Sequence, residues 1–238
     1  MRDTIMSEQY FKDFIAEEEA RLQQFTDKLA NGEIRADRVF SVEQRVHSIK
    51  FGLWIAKYSC GTDMASLKAM FDEILEEFPR FWTKTSSYVN LVWVMSIAVM
   101  LEADNEKFSK LAALLDQFDR HDALLDFFCD YKQNGAATLK NRCFSCPVPY
   151  QALGEVIEDE ANRPSLLRTY LEKKWYSGHK KFGLCDVHKA KEKLYSGYWS
   201  FESGALAKIL YIDDRILREV PYYPYDLVHY TGLGNGPH

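Results

Sequence analysis

The side chains best suited to chemistry fall in the second half of the chain. Cys143-Phe144-Ser145-Cys146 has the spacing of one zinc knuckle, and His179, Asp186, His188 and Glu202 are the types a hydrolytic metal centre recruits. Structural zinc takes four Cys or His ligands, usually from two paired knuckles. No second Cys-x-x-Cys and no His-x-x-x-His completes this one, so the pair reads as loop cysteines. His-Glu-x-x-His and Glu-x-x-His are also absent, and with them the usual helical presentation of a metal site. Isolated His and Asp residues near aromatic rings more often serve as internal hydrogen-bond partners. A metal-dependent hydrolase built on His179, Asp186, His188 and Glu202 is therefore the alternative reading. Gly197-Tyr198-Trp199-Ser200 lacks the second glycine of a nucleophile elbow, and no phosphate-cradling Gly-rich loop precedes a helix. The expectation is no catalytic residue, no metal and no cofactor.

A charge pattern carries more. Asp116, Asp119, Asp122, Asp126 and Asp130 are spaced 3, 3, 4 and 4 apart. On one continuous helix they would occupy an arc of roughly 120° and a length of about 21 Å. One carboxylate per about 4 Å approaches the charge spacing of a nucleic-acid strand, about 3.4 Å, which suits a ridge that docks a basic surface. The plainer reading is that Asp119 or Asp122 caps the next helix and the others are a solvated face. Asp72, Glu73, Glu76 and Glu77 form a second acidic set with the same two readings.

Helical periods position these residues. Tyr10, Phe11, Phe14, Leu22, Phe25 and Leu29 form a stripe behind a Ser7 cap, ending near Gly32. Glu43 to Cys60 is a second helix, stopped by Gly61; Asp63 caps a third, closed by Pro79. Tyr88 to Glu102 is apolar on nearly every side and reads as the central helix of a bundle. Lys107–Phe118, Asp122–Tyr131, Gln151–Asn162, Ser165–Tyr176, His188–Tyr195 and Phe201–Tyr211 follow, with 177–182 a loop. Asp213-Asp214 is positioned to start a further turn, and Pro221 and Pro224 forbid regular helix beyond it. The tail from Gly232 to His238 is expected to fray. Ala98-x-Met100-Leu101-x-Ala103-Asp104 is echoed by Ala207-x-Ile209-Leu210-x-Ile212-Asp213, each an apolar helix running into an aspartate. No period-2 run of β-branched residues reaches five positions. An all-α helical bundle of about eight to ten helices in two packed modules is expected: an acidic N-terminal module over 1–131, a connecting loop over 132–150, and a C-terminal module over 151–238.

Composition bounds the function. The 238 residues are 47% hydrophobic and 27% charged, as in ordinary globular proteins. The charge-free run Thr85 to Leu101 is shorter than the ~20 apolar residues that cross a bilayer, and the first residues show no apolar signal-like run. Five cysteines, an odd number without a disulfide-scaffold spacing, point to reduced thiols and a cytoplasmic location. Residues 1–131 carry 15 Lys+Arg against 23 Asp+Glu, a net of −8, whereas residues 132–238 carry a net of +3. That front half disfavours direct nucleic-acid binding and favours a basic partner.

Tyr198-Trp199-Ser200-Phe201-Glu202, Ala207-Lys208-Ile209-Leu210, Ile212-Asp213-Asp214 and Pro221-Tyr222-Tyr223-Pro224-Tyr225-Asp226-Leu227 resemble the C-terminal signature of the polymorphic nuclease immunity (PoNi-type) family. Asp186-x-His188-Lys189 fits the same pattern, and Met1-Arg2-Asp3-Thr4 with Tyr10-Phe11 is similar to the opening of that family's N-terminal module. Ser203-Gly204 departs from the pattern where alanines are expected, and Tyr211 stands where a glycine is common. The resemblance implies a bacterial immunity protein that binds a secreted nuclease toxin and neutralises it by stoichiometric complex formation; beside the hydrolase, a helical adaptor without a toxin partner is the other alternative. The signature itself reads as a folding motif, away from the toxin-contacting surface. Partner contact is accordingly expected at the acidic positions Asp116, Asp119, Asp122, Asp126, Asp130, Asp72, Glu73, Glu76 and Glu77, with neither nucleic acid nor membrane as a direct partner.

Overall fold

The computed structural model describes residues 1–232, and every regular element among them is helical. The all-α expectation is met; the tail beyond Gly232 lies outside the described residues. The chain divides into two compact units, Met1–Trp82 with Asp186–Tyr198, and Thr83–Cys185 with the described residues from Trp199 onward. The stretch 132–150, expected as a connection between modules, lies inside the second unit. No helix among the described residues is long and apolar enough to cross a membrane.

The first unit is built on three helices. The Ser7 hydroxyl accepts the Tyr10 N–H at 3.1 Å and starts α1 (Glu8–Ala30), which buries Phe11 and Phe14. Helix α2 (Val39–Cys60) ends where Gly61 adopts φ +103°; a Cβ there would meet the Met1 nitrogen at 2.9 Å. Asp63 caps α3 (Met64–Phe81) through the Ser66 N–H at 2.9 Å. Pro79 does not close α3. The ring removes one helical hydrogen bond, yet its φ is helical, and burial of Phe78, Phe81 and Trp82 carries the helix on to Phe81. Gln44 Nε2 then donates to the Phe81 carbonyl at 2.8 Å and holds that end.

The helix expected at His188–Tyr195 is absent. Only a 3-10 turn, Val187–Lys189, forms, and the chain runs on without helix. Its polar groups are claimed from elsewhere in this unit. The Tyr10 hydroxyl donates to the Tyr195 carbonyl at 3.1 Å and accepts the Tyr195 N–H at 2.9 Å. Ser59 Oγ donates to the Ser196 carbonyl at 2.7 Å, and the Tyr195 hydroxyl donates to buried Asp3. Side-chain partners on α1 and α2 have replaced the helical ladder, satisfying the backbone in an extended path.

In the second unit α4 (Tyr88–Met100) is buried from Leu91 to Met100, as its all-round apolar sequence requires. Helices α5 (Asn105–Phe118) and α6 (Ala123–Asn134) follow, then a turn α7 (Pro147–Tyr150) and α8 (Ala152–Glu158). From Arg163 to Gly178 the chain stays helical through α9 (Arg163–Thr169), a π turn over Tyr170–Trp175, and α10 (Tyr176–Gly178). The loop expected at 177–182 thus starts later, and part of it is a 3-10 turn over Lys180–Phe182. Helix α11 (Phe201–Ile209) lies along α4, with the Trp93 and Phe201 rings edge-on at 5.7 Å. Gly204 makes this contact possible: a Cβ would lie 2.5 Å from Met100 Sδ and 2.7 Å from Pro224 Cγ. The mid-helix glycine, unfavourable by about 1 kcal/mol in isolation, is required by packing. Pro221 and Pro224 lead into α12 (Tyr225–Val228), where the Tyr223 hydroxyl donates to Asp214 Oδ2 at 2.7 Å.

Candidate functional site

The aspartate series does not lie on one helix. Helix α5 stops at Phe118, Asp119 turns left-handed at φ +52°, and α6 begins only at Ala123. A continuous ridge of five carboxylates is thereby ruled out. Asp122 is wholly buried. Its Oδ1 accepts the Leu124 and Leu125 N–H groups at 3.1 and 2.9 Å, capping α6, while Oδ2 accepts the Tyr88 hydroxyl and the Ser145 N–H. Burial pushes this carboxyl up while those hydrogen bonds pull it down. Asp122 builds the fold and presents nothing to a partner.

The other four differ in exposure. Asp116 and Asp119 are exposed, Asp126 and Asp130 half-buried. The ring of His121 bridges two of them, Nδ1 to Asp126 at 2.6 Å and Nε2 to Asp116 at 3.0 Å. Its pKa is raised, chiefly by the hydrogen bonds to Asp126 and Asp116. Asp126 also accepts the Asn141 amide at 3.0 Å. Asp130 accepts from Asn134 and Lys140, each at 2.7 Å, and from the Thr138 N–H, and the Lys140 bond leads in holding its carboxyl below the usual range. Asp126 and Asp130 therefore tie the 136–146 segment to α6. His121 escaped the sequence reading, although an aspartate five residues to either side marked it.

The second acidic set lies on α3 in the first unit. Asp72 pairs with Lys68 one turn away, and Lys50 Nζ donates to both Glu77 oxygens at 2.9 Å. Glu73 and Glu76 are exposed. Both pairs are partly covered, and the set contributes surface charge chiefly through Glu73 and Glu76.

The four residues of the hydrolase reading do not assemble. Asp186 and His188 belong to the first unit, His179 and Glu202 to the second. Among the described residues no three His, Cys, Asp or Glu are placed to hold a metal ion. Each of the four is committed locally. Asp186 pairs with Lys189 at 2.7 Å, and His188 Nδ1 bonds the Tyr198 hydroxyl at 2.9 Å. His179 Nδ1 lies 2.7 Å from the Trp175 carbonyl, which makes it the protonated nitrogen, and Nε2 accepts the Tyr150 hydroxyl at 3.0 Å. Burial lowers this imidazole to about 4, so it stays neutral. Glu202 Oε1 accepts the Tyr170 and Ser200 hydroxyls, both at 2.9 Å, and burial raises the carboxyl to about 7. Trp175 also acts on this carboxylate electrostatically, yet neither Trp175 Nε1 nor Glu202 Oε2 completes a hydrogen bond. An open cleft of about 370 Å³ is bordered by Pro147, Val148, Pro149, Lys173 and Lys174, and none of the four lines it. Cys143 is exposed and Cys146 partly covered, with its thiol pushed up by burial.

Residues 2–113 match the family described as PoNe immunity protein (PoNi), N-terminal, and residues 120–227 match PoNe immunity proteins (PoNi), C-terminal. No curated protein matches. Among solved structures, the crystal structure of protein PA2201 from Pseudomonas aeruginosa superposes with a TM-score of 0.66 at 19% identity, covering 90% of this chain and 87% of that one. At that identity the likeness establishes a shared fold. The two family matches take in nearly the whole length, one per half, and with them the chain belongs to the PoNi family of PoNe immunity proteins.

Proposed function

We propose that this protein protects a bacterial cytoplasm by binding a cognate DNase toxin one to one, and that it catalyses no reaction. The observation that carries the reading is the family match over both halves. An independent physical argument supports it. A nuclease must present positive charge to phosphates, and residues 1–131 carry a net of −8. Asp116 and Asp119 in one unit and Glu73 and Glu76 in the other expose carboxylates; Asp72, Glu77, Asp126 and Asp130 add charge from partly covered positions. Such a field steers a cationic partner and raises the association rate.

The test measures association of the purified chain with its cognate toxin at about 0.05 and 0.5 M salt, where the Debye length falls from roughly 14 to 4 Å. The expected outcome is an association rate at least tenfold slower at high salt. Reversing Asp116 and Asp119, or Glu73 and Glu76, to lysine should slow association in the same direction. Immunity with salt-independent association would remove the acidic mechanism while leaving the toxin reading. Turnover of any compound by the isolated chain, abolished by one side-chain replacement, would overturn the non-catalytic reading.

A further inference from the structure

Two helices of the second unit end side by side in the same unusual way. Helix α4 closes with Glu102 at φ +53°, and α11 closes with Tyr211 at φ +50°. At the first, the Glu102 N–H reaches the Val99 carbonyl at 3.2 Å and the Ala103 N–H the Ala98 carbonyl at 2.9 Å. The second repeats this, Tyr211 to Lys208 at 3.4 Å and Ile212 to Ala207 at 3.0 Å. The sequence echo between the two segments is thus a shared helix-closing geometry. Lys208 joins the ends: its ammonium donates to the Met100 carbonyl at 2.7 Å and to the Tyr230 carbonyl at 2.8 Å, and pairs with Glu102 at 3.0 Å.

Glycine is the residue that takes the left-handed closing position without strain, and a bulky side chain there is an outlier. Tyr211 nonetheless occupies it, and the residue is 85% exposed, more than any other large hydrophobic residue among those described. No hydrogen bond to its hydroxyl and no ring–ring contact of its own forms among the described residues. Among the described residues neither the strained backbone nor the uncovered ring is offset by a hydrogen bond of the hydroxyl or a ring contact. Observed backbone outliers gather at functional positions, and tyrosine is a preferred anchor of protein interfaces.

The surroundings select the occupant. Tyr131, on α6, is near enough to Tyr211 and Glu102 that both raise its phenol, after burial as the leading cause. Glu102, Asp104 and Glu106 expose their carboxylates at the end of α4 and start of α5. The adjacent lysines are turned inward: Lys132 donates to the Ala103 carbonyl at 2.5 Å, and Lys208 to the two carbonyls above. An exposed aromatic face with the Glu102 carboxylate nearby favours a cation laid over the ring.

We propose that Tyr211 is an anchor of the toxin interface, taking an arginine or lysine side chain of the toxin across its ring with Glu102 at the rim. This inference rests on the immunity reading and adds to it a contact within the family's C-terminal region. The experiment uses the full chain and its cognate toxin, with Tyr211→Gly, Tyr211→Phe and Glu102→Gln. Tyr211→Gly should bind about 30-fold more weakly while its thermal midpoint rises by about 2–4 °C through relief of strain. Tyr211→Phe should bind within about threefold of the parent, because the ring carries the contact, and Glu102→Gln should weaken binding less than the glycine variant. Opposite movement of stability and affinity is a signature that a purely structural residue does not give. Should the parent bind toxin and Tyr211→Gly bind equally well, the anchor is refuted and the immunity reading stands. Failure of the parent to bind toxin at all removes both. A change in oligomeric state of the isolated chain on Tyr211→Gly, with toxin affinity unchanged, assigns the surface to a second copy and overturns the proposal.

Discussion

Replacement of Glu202 by glutamine should convert a pH-dependent stability into a flatter one. Glu202 is fully buried on α11, and burial raises its carboxyl from 4.5 to about 7 despite hydrogen bonds from Ser200 and Tyr170. The sign runs opposite to the usual carboxylate. The folded state holds this proton more tightly than the unfolded chain, so the contribution is fully present below about 4.5 and is lost as pH rises through about 7. At 1.36 kcal/mol per pKa unit the loss is about 3 kcal/mol. Glutamine keeps the shape and cannot ionise. Its carbonyl oxygen can still accept the Tyr170 and Ser200 hydroxyls, but its amide would set N–H groups where Trp175 Nε1 already brings one. That mismatch costs about 1 kcal/mol at every pH. The variant should therefore be slightly less stable than the parent at pH 5 and more stable at pH 8. Urea denaturation at unit steps from pH 5 to 8 reads the difference directly, with about 2–3 kcal/mol of relative movement expected in the variant's favour. Parallel stability curves for the two proteins across that range would refute the argument that this carboxyl is held in its neutral form by burial.

Gly204→Ala should lower stability by about 1–2 kcal/mol in thermal denaturation, because overpacking against Met100 Sδ and the rigid Pro224 ring exceeds the roughly 1 kcal/mol gained in helix propensity; a higher midpoint would contradict the close approach. Asp122→Ala should destabilise by about 3 kcal/mol, since it strips the α6 cap and leaves the Tyr88 hydroxyl and Ser145 N–H without their acceptor. Asp116→Ala, at a carboxylate 84% exposed, should change stability by less than about 0.5 kcal/mol in the same assay. His121 contributes most below its ordinary value of 6.5 and loses that contribution as pH rises through its raised folded value. Because the ring is about half exposed, His121→Asn should remove less than about 1 kcal/mol of pH-dependent stability, and an NMR titration of the ring should show a midpoint above 6.5.

What the sequence made legible was local. Ser7 and Asp63 cap the helices they were expected to cap, Gly61 stops α2, and the all-round apolar run of α4 lies at the centre of its unit. Those signals act within one turn of helix or within one stripe. The misreadings share a different cause, a long-range partner that changes what a local pattern can do. Residues 188–195 lose their helix because Tyr10 and Ser59, more than 130 positions earlier in the chain, take the backbone groups of Tyr195 and Ser196. Pro79 fails to stop α3 because three aromatic residues around it are buried.

The aspartate series shows why this limit bears on function. The spacing offers Asp119 or Asp122 as the cap of the next helix and Asp116 and Asp126 as a solvated face, without deciding between that reading and a ridge. Only the left-handed turn at Asp119, a residue with no glycine to announce it, sends Asp122 into the core and leaves Asp116 outside. A register-dependent docking ridge is removed by that single turn. A long-range field is not, because steering depends on the net charge of a surface and only weakly on the spacing of its carboxylates. If the proposed toxin binding holds, recognition of one toxin among many comes from short-range contacts, which a field cannot supply. The exposed Tyr211, closing α11 at the end of α4, is placed for such a contact and lies outside the acidic series altogether. Under the proposed reading, speed of capture and choice of partner fall to separate residues, and charge reversal at the acidic positions should alter the first without altering the second.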